Sequence, residues 1–291
     1  MTIVVGATTG SSGDLLSRLI AQRLSDRWKQ PVLVENRSGG SGLLAMREVM
    51  AAPATGYTIF MSNDSAAINQ SIMRTPPPDP RKALAPISLL ALIDFKLVTH
   101  PAVPATNVRE LIDYLKANPG KRSFSSSGLY TPHHLMAELF RYQAGVDALH
   151  VPYRGTAPSI AAVLGGQSDY AFSGFPGVDG NVKAGKLRAL ATTGTKRSAS
   201  SPELPTVGET LKGFSAASWW AMFVRPEVPA PVQQRISTDV AGTIAEPEVN
   251  RRMREAGLDP IGSTPAELRT FLGNEIEKWA KLPAGLVEKL E

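Results

Sequence analysis

The residues best suited to chemistry follow the first apolar run of the chain. Ile3-Val4-Val5 breaks into Gly6-Ala7-Thr8-Thr9-Gly10-Ser11, and an amphipathic helix pattern begins near Ser12. A strand that ends in a small-residue loop and then opens a helix leaves backbone N–H groups unpaired and aimed at one point. The helix dipole adds positive potential there, so the natural guest is an anion. Ser11 and Asp14 also have the S-x-x-D spacing of a capping box, compatible with ligand contact because a carboxylate would use the N–H groups left over. A second junction of this kind runs Ser126-Ser127-Gly128-Leu129-Tyr130-Thr131, with Thr131 expected as N-cap and Pro132 at the first helical position. A third, Tyr153-Arg154-Gly155-Thr156, predicts a helix capped at Thr156. There Arg154 is either a partner for a carboxylate or a solvated arginine, and Tyr153 either closes a pocket or lies in the core. Asn36, Asn63 and Asn69 read as residues following strands, which suits ligand contact or a plain loop role.

Patterns for catalysis are weak. His133 and His134 are adjacent and do not share a helix face, and no i, i+4 pair of histidines supports a metal site. Gly10-Ser11-Ser12-Gly13 is not the spaced G-x-S-x-G elbow, and no G-x-x-x-x-G-K-[ST] is present. Without a nucleophile tied to a base, holding an anion is favoured over transforming it. No catalytic residue, metal ligand or cofactor is assigned. The alternative is a serine-dependent hydrolase using Ser11 or Ser12, which lacks a matching histidine.

The elements that must position these loops are short. A helix through about Trp28 is expected to bury Leu15, Leu16, Leu19, Ile20 and Leu24; strands follow at 31–34 and 56–61, with a helix from Leu43 to about Ala52 between them. This β-α-β-α-β spacing implies a parallel sheet with ligands beyond the carboxyl ends of its strands. Residues 75–86 read as an extended excursion, and Ile87 to Val98 as one long strand. His100–Pro104 is taken as the first crossing between domains. Helix 108–117, strands 123–126, 149–152, 170–172 and 187–192, and loops at 173–176 and 198–205 complete the second. Ala217 to Val224, with Trp219-Trp220 packing at the crossing, leads back to the first. Helices at 231–245, 247–256 and 265–279 close the chain, with a short strand near Pro260-Ile261 among them.

A chain of 291 residues with 43% apolar and 20% charged side chains fits two packed domains. Net charge is +5, with scattered rather than clustered bases, which suits a small anion at least as well as nucleic acid. There is no cysteine, a composition that fits an oxidising compartment. No run of about 18 apolar residues spans a membrane. Met1 leads straight into the first strand, which reads as a mature chain whose leader was removed.

Several stretches together resemble a known family. They include VENR at Val34 to Arg37, GYT at Gly56 to Thr58, AIN at Ala67 to Asn69, PHHLMAELF at Pro132 to Phe140 and HVPYRG at His150 to Gly155. LGGQ at Leu164 to Gln167, AGKLRALA at Ala184 to Ala191, LPTVGE at Leu204 to Glu209, SWW at Ser218 to Trp220 and GSTPAEL at Gly262 to Leu268 continue the series. In this order the sequence resembles the Bug/TctC family, extracytoplasmic solute-binding proteins of tripartite tricarboxylate transporters. The resemblance implies an α/β, two-lobed type II periplasmic-binding fold, each lobe a mainly parallel sheet flanked by helices, with a cleft between. Lobe 1 would comprise 1–98 plus 222–291 and lobe 2 99–221, with crossings near 98–104 and 215–224. It further implies a periplasmic monomer that captures a di- or tricarboxylate, aromatic acid or acidic amino acid by hinge closure and serves membrane transporter subunits, with no nucleic acid partner.

Ligand residues carried over fall on Thr9, Gly10, Ser11, Ser12 and Asp14; on Ser126, Ser127, Gly128 and Thr131; and on Tyr153, Arg154, Gly155 and Thr156. Asn63 and Asn69 join them by position. Relatives often have Phe and Pro where this chain has Ala7 and Thr9, and Asp where it has Ser173. The first difference reshapes the pocket; the second weakens the expectation of an amino acid ligand.

Overall fold

The computed structural model describes residues 1–73, 75–174, 177–198 and 201–281. Phe175 and Pro176, and Ala199 and Ser200, from the loops expected at 173–176 and 198–205, lie outside them. The chain divides into two compact units, residues 1–92 with 219–291, and residues 93–218.

The first unit begins β1 (Thr2–Val5), α1 (Ser12–Trp28), β2 (Leu33–Asn36), α2 (Leu43–Ala51), β3 (Thr58–Asn63), α3 (Ser65–Ile72), the single turn α4 (Pro80–Ala83) and β4 (Ala85–Asp94). Ile3, Val4 and Val5 are fully buried, and their strand lies between β2 and β3 and parallel to both. Such β-branched residues suit a strand covered on both faces.

Four local expectations are corrected here. The buried face of α1 is rotated from the leucine pattern, with Leu15 54% exposed while Gly13, Asp14, Ser17 and Ala21 are inside. Asn69 is not a loop residue after a strand but a buried residue within α3. Residues 75–86 are not wholly extended, because the Asp79 side chain accepts from Arg81 N at 2.9 Å and Pro80 takes the first helical position of α4. The apolar run 87–98 is two strands of two different sheets. Phe95 breaks it, donating its N–H to Thr193 Oγ1 and accepting from Thr193 N, both at 2.9 Å.

The second unit contains β5 (Lys96–Thr99), α5 (Val108–Lys116), β6 (Ser123–Ser126), α6 (Pro132–Ala144), β7 (Leu149–Pro152), α7 (Thr156–Leu164), β8 (Tyr170–Ser173), α8 (Gly177–Lys183), β9 (Arg188–Thr192) and α9 (Val207–Thr210). Its sheet order is β7-β6-β8-β5-β9. Strands β7, β6 and β8 are parallel, whereas β5 runs antiparallel to both β8 and β9. Val98, Ile160, Val163, Ala171, Val178 and Leu187 pack as a core beneath α7.

The chain returns to the first unit with β10 (Ala217–Val224), α10 (Ala230–Ala245), α11 (Pro247–Glu255), β11 (Asp259–Pro260) and α12 (Pro265–Ala280). The order of that sheet is β11-β4-β10-β3-β1-β2, with β10 antiparallel to β3. Each unit therefore carries the same β-α-β-α-β plan, with the first strand in the middle of a parallel trio and an antiparallel neighbour beside the third. The loops after β1 and β6 are topological equivalents, and so are those after β2 and β7.

Candidate functional site

In the first unit the loop after β1 is tied down from three directions. Ser11 is the N-cap of α1, its Oγ accepting from Asp14 N at 3.2 Å. The reciprocal arm of a capping box is displaced by one residue, since Asp14 Oδ2 accepts from Gly10 N at 2.9 Å. Asp14 is buried and its other oxygen lies 3.0 Å from Arg18 Nη2. Burial by itself would raise the Asp14 carboxyl. Hydrogen bonds from Arg18, Gly10 N and Asn36 outweigh that and hold it below the ordinary carboxylate value. Asn36, at the end of β2, donates to Ala7 O at 3.2 Å and lies 3.3 Å from Thr9 Oγ1.

The third anchor comes from far along the chain. Trp220 of β10 donates its indole N–H to Ser12 Oγ at 3.0 Å. Its ring lies so close to Gly13 that a Cβ there would sit 2.4 Å from it. Ser12 Oγ thus accepts from a donor that can play no other role, which leaves its own proton free to donate. Among the described residues the N–H groups of Ser12 and Gly13 have no acceptor. They form an anion cradle at the α1 N-terminus.

Asn69 donates to Ser41 O at 3.2 Å and so braces the loop after β2. Asn63 closes a turn at the end of β3, its Oδ1 accepting from Ser65 N at 3.2 Å.

The second unit builds its cradle from two loops. Tyr153 N donates to Ser126 O at 2.9 Å and Gly155 N to Ser127 O at 3.2 Å, so the loops after β6 and β7 run side by side. Gly155, with φ +114°, makes the turn into α7 and is itself the N-cap; Thr156 is the first helical residue rather than the expected cap. Thr131 occupies the N-cap position of α6 but its hydroxyl donates to Gly128 O at 2.8 Å instead of capping the helix. Arg154 is exposed and makes no ion pair among the described residues. Ser173 is buried at the carboxyl end of β8, opposite Lys96 of β5 and at the same end of the sheet as the loop after β6.

Three histidines, which were not candidates in the sequence, support these loops. His133 on α6 bridges them: Ser127 Oγ is 2.8 Å from its Nδ1 and Thr156 Oγ1 3.4 Å from its Nε2. Beneath them His134 and His150 stack face to face with ring centroids 3.9 Å apart, and Phe124 stacks on His150. His134 Nδ1 accepts from Tyr130 N at 3.0 Å, and His150 Nε2 lies 2.7 Å from Ser126 Oγ. That serine hydroxyl also accepts from Gly128 N at 3.1 Å. Burial lowers His133 to about 4 and His150 to about 4; burial, then the His150 and Arg141 charges, lowers His134 to about 3. All three are neutral near pH 7. The Glu138 carboxyl, pushed up by burial against the hydrogen bonds of Arg141, completes the buried cluster.

Ser127 and His133 have the spacing of a nucleophile and its base, but the second ring nitrogen meets a threonine hydroxyl instead of an orienting carboxylate. Ser11 and Ser12 bond to a backbone amide and an indole, not to a histidine. The geometry holds; it does not activate.

Over residues 16–286 the chain matches the family described as tripartite tricarboxylate transporter family receptor, TctC. The chain belongs to the TctC receptor family. The receptor is 30% identical to protein BugT of Bordetella pertussis, with 96% of this chain and 86% of BugT covered. Among solved structures it resembles an R. palustris protein with adipate at 32% identity and TM-score 0.86, covering 97% of this chain and 95% of that one. It also resembles the periplasmic binding protein BugD at 27% identity and TM-score 0.82, covering 97% and 95%. These relatives are solute-binding receptors, not enzymes. Among the described residues no helix is long and apolar enough to cross a membrane.

Proposed function

We propose that this receptor captures a carboxylate-bearing small molecule in the periplasm and presents it to membrane transporter subunits. The observation that carries the reading is the pair of equivalent cradles, one per unit. The Ser12 and Gly13 amides open one. The Ser127, Thr156 and Ala157 amides, with Arg154 unpaired among the described residues, open the other. Each offers donors and positive potential, and neither directs a free carboxylate outward, so an anion satisfies both. The adipate in the R. palustris relative fits that chemistry.

In this reading one ligand is held by Thr9, Gly10, Ser11 and Ser12 from the first unit and by Ser127, Gly128, Thr131, Tyr153, Arg154, Gly155 and Thr156 from the second. A hinge movement across the two chain crossings closes them on it. Asp14, Ser126, Asn69 and Ala7 act from behind, by shaping the loops. Dicarboxylates, tricarboxylates, aromatic acids and acidic amino acids are the classes to screen. In a thermal-shift screen a carboxylate at a hundredfold excess over its Kd is expected to add about 2.7 kcal/mol of stability, several degrees in Tm. A screen in which only neutral sugars or amines raise Tm would overturn the reading.

A further inference from the structure

His133 ties together two hydroxyls that face the proposed ligand, and its proton count fixes what they offer. A neutral imidazole has one N–H and one lone pair. With Ser127 Oγ at 2.8 Å from Nδ1 and Thr156 Oγ1 at 3.4 Å from Nε2, one hydroxyl must donate into the ring while the other accepts from it. The hydroxyl that donates to the ring has only lone pairs left for a ligand. The one that accepts keeps its proton for the ligand. In either tautomer the pair presents one donor and one acceptor. A protonated ring donates to both, and both hydroxyls then become donors beside a positive charge.

We propose that His133 is the specificity-determining residue of the second-unit cradle: a carboxylate binds there with uptake of one proton by His133, whereas a group carrying its own donor, such as a hydroxyl, binds the neutral ring. This rests on the receptor reading above and adds to it the protonation state of the site. The proton comes from solvent and resides on the ring nitrogen that was the acceptor. Among the described residues no acid hydrogen-bonds or ion-pairs with the ring. Among the described residues the groups that stack on or hydrogen-bond to His133 are the Phe95 ring, with centroids 4.7 Å apart, and the two hydroxyls. Burial is the one cause that lowers its proton affinity, with no charge contributing. The His134–His150 stack and Glu138 act on the loop from below, through Tyr130 N and Ser126 Oγ. Arg154 stands two residues before Thr156. A bound carboxylate would bring a negative charge to a ring on which no charge acts among the described residues, so its proton affinity rises on binding.

A group whose pKa rises on binding strengthens binding as pH falls through the bound value, by up to about tenfold per pH unit. The test uses the straight-chain dicarboxylate, succinate through suberate, that gives the largest thermal shift. Calorimetric titration in two buffers of different ionisation enthalpy, at about pH 5 and about pH 7.5, reads proton uptake. The wild type is expected to take up about one proton more than His133→Asn at the lower pH, a difference from which the ligand's own titration cancels. Affinity of the variant should lack the extra rise on acidification. In parallel, the His133 ring resonance of the wild type, assigned through its contacts with Phe95, should titrate at least about one pH unit higher with ligand than without. That measurement decides the matter even if the variant fails to fold. Equal proton uptake by wild type and His133→Asn, or an unmoved ring titration in a saturated complex, would overturn the proposal and leave the receptor reading standing. Failure of every carboxylate to bind the wild type would overturn both.

Discussion

The two strand–loop–helix junctions have the same topology and opposite chemistry. The one after β1 is braced by a carboxylate that stays charged: Asp14 holds Gly10 N and Arg18. It is covered by an indole that fills the space where Gly13 has no side chain. The one after β6 is braced by neutral imidazoles, His133, His134 and His150, each spending a ring nitrogen on the loop or its hydroxyls. A cradle set by a depressed carboxylate is insensitive to pH across the neutral range, whereas one set by buried histidines changes with acid: charging His134 and His150 loosens the loop they brace, and charging His133 turns both of its hydroxyl partners into donors. Equivalent places in a fold can thus carry a fixed half and an adjustable half of one binding function.

The largest effect is expected at Trp220. Trp220→Ala removes a buried ring lying on α1 and leaves Ser12 without its indole donor. A loss of about 3–5 kcal/mol in urea denaturation of the first unit is expected. A loss below about 1 kcal/mol would mean that the ring merely covers the loop.

Acid should then separate the units. His134 titrates lower in the folded chain, at about 3, than in the unfolded one, so its stability is complete above the unfolded value of 6.5 and declines as pH falls toward the folded value. Each such group costs up to about 1.4 kcal/mol per pH unit over that window. Asp14, lowered, contributes above the ordinary carboxylate value and loses its share only as pH falls below it. Hydrogen exchange resolved by unit should show α6 losing protection at a higher pH than α1. Simultaneous loss would deny the difference.

Asp14→Ala probes the fixed half from inside, leaving Gly10 N without its acceptor and Arg18 without its partner. It should cost about 1–3 kcal/mol by denaturant titration, with much of the ion-pair share lost to solvent because Arg18 is half exposed. Arg154→Gln should change stability by less than about 0.5 kcal/mol, since the side chain is exposed and makes no ion pair among the described residues, yet weaken carboxylate binding about tenfold or more.

Much of this was legible along the chain because strand, small-residue loop and helix start are local features. The β1–α1 and β6–α6 junctions, the Pro132 helix start and the β10 strand all rest on neighbours in sequence. What stayed hidden depends on distant partners. Trp220 reaches Gly13 only because β10 pairs with β3. His134 and His150 become a stack only because β6 and β7 align, so that adjacent histidines that ruled out a metal site said nothing about their supporting role. The helix carrying Asn69 is too short and polar at its start to announce itself, and the Asp79 cap was masked by the prolines around it.

The most direct measurement is amide NMR of the labelled receptor during titration with the dicarboxylate that binds it best. Ser12 and Gly13 in the first unit and Ser127 and Thr156 in the second are expected to shift together, with a single midpoint. Shifts confined to one unit, or midpoints that differ, would contradict capture of one carboxylate ligand by both cradles.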